Sequence, residues 1–186
     1  MALSHGRLDA LRTLCHRYGP GRLPKADQYE IGAGYAAAAA AFVAAVTFTV
    51  STYGASLIGV PLDVAHPFWS AVGLVAIPFV VPMAFVAGTI VWTYLPESMP
   101  RFGAVGGVLT ALFTYGLSLA AVLFVLTIYV LVSGSPEGLE AAVVEPLALT
   151  TLIGIVAIVF TTWLTVPIGL FGGSIYERVN GGCPTE

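Results

Sequence analysis

The chain has 186 residues, 58% of them hydrophobic and only 9% charged, with a formal net charge of −3 and a mean hydropathy of +0.91. A soluble domain carries about a quarter charged residues. Too few groups here prefer water to cover a surface, so a water-soluble fold is excluded. The mildly acidic balance provides no electrostatic footprint for nucleic acid, and none is expected as a partner.

In chain order, residues 1–30 form a basic segment read as cytoplasmic. Within it, residues 5–18 read as a short amphipathic helix with Leu8, Leu11, Leu14, Cys15 and Tyr18 on one face, broken by Gly19-Pro20-Gly21. A basic amphipathic helix beside a first span is expected on the membrane surface. Four apolar blocks follow, over residues 31–57, 68–95, 102–132 and 147–176. Each exceeds the ~20 residues needed to cross about 30 Å of hydrocarbon. None contains Asp, Glu, Lys, Arg or His. In hydrocarbon the backbone must satisfy its own hydrogen bonds, so blocks of this length are helical. The expectation is an all-α integral membrane protein, a four-transmembrane-helix bundle over 31–176 with a cytoplasmic tail over 177–186.

Orientation follows from the basic residues. Arg7, Arg12, Arg17, Arg22 and Lys25 precede the first span, Arg101 lies between the second and third, and Arg178 follows the fourth. The other two loops, one around Asp63 and one over 133–146 with Glu137, Glu140 and Glu145, hold no basic residue. All seven positive charges therefore fall on one side, which places both termini in the cytoplasm of a cell-membrane protein. The low lysine content and abundant Ala, Val and Gly suggest a GC-rich prokaryotic source.

The second span contains Val81-Pro82-Met83-Ala84-Phe85-Val86-Ala87-Gly88-Thr89-Ile90, and the fourth contains Val166-Pro167-Ile168-Gly169-Leu170-Phe171-Gly172-Gly173-Ser174-Ile175. One pattern, V-P-[MI]-[AG]-[FL]-x-[AG]-G-[TS]-I, fits both. Gly32-Ala33 and Gly103-Ala104 open the first and third spans in corresponding places. This suggests a duplicated helical hairpin, its halves parallel about an axis along the membrane normal. Pro78, Pro82 and Pro167 each remove a backbone hydrogen bond and are expected to kink their helices. Ala84/Gly88 and Gly169/Gly173 are small-xxx-small pairs that allow close helix approach. Hydroxyls such as Thr49, Thr110, Thr114, Ser118, Thr161 and Thr165 are candidates for hydrogen bonds across helices.

Catalytic constellations are missing from the spans. His5, His16 and His66 all lie outside them, which disfavours haem ligation, and no H-E-x-x-H occurs. Cys15 and Cys183 form no paired motif. No cofactor, metal or catalytic residue is therefore assigned. Asp63 and His66, three residues apart at the outer mouth, are weak candidates for metal binding or pH sensing. Glu97, Arg101, Glu177 and Arg178 are the candidates for an enzyme site at the cytoplasmic face, but read most simply as topology charges and an ion-pair cluster. The expected function is a non-enzymatic accessory or structural membrane subunit in a homo-oligomer or larger complex. A channel or permease for a small solute or ion is the alternative, with the proline-bent helices lining a path.

Overall fold

A computed structural model describes residues 23–25, 28–58, 67–96, 101–133 and 141–180. The amphipathic segment over 5–18, Asp63 and His66 lie outside the described residues. Four helices make up the fold: α1 (Tyr29–Ile58), α2 (Pro67–Tyr94), α3 (Phe102–Ser133) and α4 (Ala141–Asn180). No strand occurs among the described residues. At 1.5 Å per residue even the 28-residue α2 is ~42 Å long, enough to cross the hydrocarbon with turns to spare.

The chain is an all-α four-helix bundle and a multi-pass membrane protein; all four helices are long and apolar enough to span a bilayer. Large apolar side chains cover its outside, with Ile58 at 80% and Val132 at 81% exposure. Water would penalise this surface, whereas lipid chains solvate it at no cost.

The helices pack as two hairpins, α1 on α2 and α3 on α4, joined chiefly along α2 and α3; α1 and α4 touch least among neighbours. The tyrosines that begin α1 and end α4 meet, so both chain ends leave the bundle at the same end, here the terminal end.

Two boundaries differ from expectation. The fourth helix starts at Ala141 rather than at 147 and takes Glu145 and Pro146 out of the expected loop. A proline usually ends a helix, which is why the sequence reading stopped there. Pro146 is fully buried, and that packing offsets the one backbone bond it forfeits. At its other end α4 continues through Asn180, past the expected start of the tail.

Candidate functional site

Four of the sequence-derived packing residues lie at the two hairpin crossings. In the first hairpin Ala84 and Gly88 of α2 are buried against α1. A methyl added at Gly88 would lie 2.9 Å from Ala37 Cβ, 3.0 Å from Gly34 Cα and 3.2 Å from the Ala33 carbonyl oxygen. In the second hairpin Gly169 and Gly173 of α4 meet Gly103 and Gly107 of α3. A methyl at Gly173 would run into the Gly103 carbonyl and come within 3.0 Å of Gly107 Cα; one at Gly169 would come within 2.8 Å of the Gly107 carbonyl oxygen. Contacts this close are open only to residues without a side chain.

These contacts also correct the repeat's register. Ala33 stands where Gly103 stands and Ala37 where Gly107 stands, so the first helices correspond one residue away from the Gly32/Gly103 match. One residue turns a helix by ~100°. Matching dipeptides ignores that rotation, whereas the face presented to the partner helix obeys it.

Beside the crossings, at the terminal end, each helix contributes one aromatic ring to a shared cluster: Tyr29, Trp92, Phe102 and Tyr176. Trp92 meets Phe102 at 5.1 Å with planes at 89°, Tyr176 at 5.0 Å and 72°, and Tyr29 at 5.6 Å and 75°. These are edge-on geometries that aromatic quadrupoles favour. The Tyr176 hydroxyl donates to the Tyr29 carbonyl oxygen at 2.6 Å and ties α4 to α1. Trp69 and Phe160, with centroids 5.0 Å apart, join α2 to α4 elsewhere along the bundle.

Glu177 completes this end. Its Oε2 accepts the Gly103 N–H at 3.0 Å. Gly103 lies in the first turn of α3, where backbone N–H groups have no partner within the helix. Arg101, the residue at the α3 cap position, has φ at 61° and no oxygen on its side chain to serve them. A carboxylate from α4 takes that role, in a place where the helix dipole also favours negative charge. One oxygen of Glu177, expected in a charge cluster, thus serves a helix end. Glu97 and the Arg178 side chain lie outside what is described.

A cavity of about 90 Å³ lies deeper in the bundle, walled by Ala36 and Ala40 of α1, Thr110 of α3 and Gly172 of α4, with Trp92 and Tyr176 also lining it. Thr110 is 7% exposed, and its hydroxyl has no hydrogen-bond partner.

Most span hydroxyls do not bond across helices. Thr49, Thr89, Thr114, Thr127 and Thr161 each donate to the carbonyl one turn earlier on their own helix. A hydroxyl facing hydrocarbon finds its nearest acceptor there. Besides Tyr176, Tyr115 of α3 is an exception: its hydroxyl contacts both Thr161 Oγ1 and, at 2.8 Å, Thr165 Oγ1 of α4. Three hydroxyls bring three protons. Thr161 and Thr165 also reach backbone carbonyls, so at most three of the four contacts carry a proton at once. Sequence reading missed Tyr115, because a tyrosine inside a span looks like any other apolar residue until its partner hydroxyls are placed.

Pro78, Pro82 and Pro167 stand on exposed faces rather than inside the bundle. On α2 they continue a stripe with Leu74, and on α4 Pro167 lies between exposed Trp163 and Phe171. Proline lacks an N–H, so the carbonyls of Leu74, Pro78 and Trp163 lose their helical donors.

Among the described residues, no group of three or more His, Cys, Asp or Glu could hold a metal. No family model, curated protein or solved structure matches the chain. The functional reading therefore rests on this geometry.

Proposed function

We propose that the protein is a non-enzymatic membrane subunit that packs laterally, through the proline stripes of α2 and α4, against further copies of itself or a larger membrane complex, with both termini cytoplasmic. One observation carries this reading. Leu74, Pro78 and Pro82 on α2, and Trp163 and Pro167 on α4, all face outward and include three carbonyls without a helical donor. In hydrocarbon an unpaired carbonyl costs several kcal/mol. A neighbouring helix bringing a hydroxyl or amide donor removes that cost. The small-residue pairs do not provide this surface, because their contacts are used up within each hairpin.

The permease alternative calls for proline-bent helices around an interior path. The outward prolines give it less support, although a ring of copies could still enclose a path between subunits. Crosslinking in native membranes followed by purification tests the proposal. A crosslinker placed at Trp163 should capture a neighbouring chain. A strictly monomeric particle with no co-purifying chain would overturn it.

A further inference from the structure

Nearly every span threonine whose contacts are described spends its proton one turn back on its own helix. Thr110 and Thr150 do not, although both are buried, and Thr110 alone of the two lies on the cavity wall. It sits eight residues into α3, ~12 Å along the axis from Phe102, well beneath the interface. A buried donor left unpaired is costly, and an acceptor placed in the cavity beside it removes that cost.

Most of the lining comes from α1 and α4, the least-joined neighbours, so the opening is inferred to lie between them. Gly172 borders it, is exposed, and has open space where its Cβ would be. What lies outside is hydrocarbon, so an entering molecule comes from the lipid phase. Water fills the site poorly. A buried water needs two to four polar partners, and the side chains that line the cavity offer it few: the Tyr176 hydroxyl is already bonded to Tyr29, which leaves the Thr110 hydroxyl and the Trp92 indole N–H. A charged group would find no counter-charge among the lining residues.

We infer that this cavity is a binding site for an uncharged, lipid-soluble molecule with a single hydrogen-bond acceptor, a carbonyl or ether oxygen. The acceptor takes the Thr110 proton, an acetyl-sized head occupies the enclosed space against Trp92 and Tyr176, and the apolar remainder extends between α1 and α4 past Ala40 and Gly172. This goes beyond the lateral-packing proposal and stands or falls apart from it.

Trp92 is a built-in reporter. With Trp69→Phe and Trp163→Phe it becomes the sole indole of the full chain. The probes are terminally brominated bromopentanone and its carbonyl-free counterpart bromopentane, added to the protein in unbrominated bilayers. Bromopentanone should quench Trp92 saturably and bind about fivefold more tightly than bromopentane, the ordinary worth of one hydrogen bond. Thr110→Val, which keeps the shape and breaks no bond of the folded protein, should remove that preference. Gly172→Leu should block the cavity at its α4 side and abolish saturable quenching by both probes, and the open space around its Cβ leaves the fold unstrained. Quenching that rises linearly and equally for both probes would overturn the inference. So would a ketone preference that persists in Thr110→Val. Strong quenching by phospholipid brominated along its chains, with none by bromopentanone, would overturn it too, since the occupant would then be a plain acyl chain.

Discussion

The two hairpins use one crossing in two ways. In α3–α4 the four crossing positions, Gly103, Gly107, Gly169 and Gly173, are all glycine, and backbone rests on backbone. In α1–α2 the corresponding positions are Ala33, Ala37, Ala84 and Gly88, three of them carrying a methyl, and the close backbone approach falls instead at Gly34 against Phe85 and Gly88. Further along, the second hairpin adds the Tyr115–Thr161–Thr165 link. The first has Ala45, Ala76 and Val80 at the matching places, with no polar atom to offer. At the terminal end Glu177 caps α3, while Trp92 occupies the equivalent place in α2. A repeat therefore preserves the geometry of a crossing more faithfully than the chemistry that secures it. At these four positions and at the hydroxyl link, the second hairpin is the more narrowly specified half.

Breaking that asymmetry should give graded effects. Gly107→Ala places a methyl in the Gly169 carbonyl, which is backbone and cannot swing away. The expected loss is ~3 kcal/mol, the upper end for overpacking, read from helix content during denaturing-detergent titration. Gly88→Ala meets the Ala37 methyl instead and should lose less, about 1 kcal/mol; equal losses would deny the difference between the hairpins. Glu177→Gln keeps an acceptor but not the charge and should cost about 0.5 to 1 kcal/mol in the same titration. Raised salt should shrink that loss if charge at the helix end is its source. Tyr115→Phe should cost about 0.6 kcal/mol, the usual worth of one hydrogen bond between helices in a membrane. Gly116→Ala, with open space around it, should be neutral or slightly stabilising.

The fold was legible because lipid imposes it: length and the absence of charge give four helices, and the repeated V-P…G pattern locates both crossings on the second helix of each hairpin. What the pattern could not give was rotation. Two adjacent glycines or alanines look interchangeable in a list, but only one faces the partner, and the repeat was misread by one residue for that reason. The prolines were legible as breaks in hydrogen bonding, but their outward direction depends on which stripe packs. Glu177 was visible only as a charge near a membrane edge, because its acceptor role arises from a helix start many residues away in sequence. Tyr115 and the unpaired hydroxyl of Thr110 needed coordinates for the same reason.

The central claim is the pairing itself, α1 with α2 and α3 with α4 at the named residues. Adding Cβ atoms puts position 88 at 2.9 Å from Ala37 Cβ, and position 169 at 3.6 Å from Ala111 Cβ. The second separation falls within the roughly 3.5 to 4.5 Å of a disulfide; the first is shorter, so the two helices part slightly as a bridge forms there. With Cys15 and Cys183 replaced by serine, the pairs Ala37→Cys/Gly88→Cys and Ala111→Cys/Gly169→Cys should each close a bridge within one chain in native membranes under mild oxidation. The crossed pair Ala37→Cys/Gly169→Cys should stay open. Closure of the crossed pair in preference to the other two would contradict the two-hairpin account.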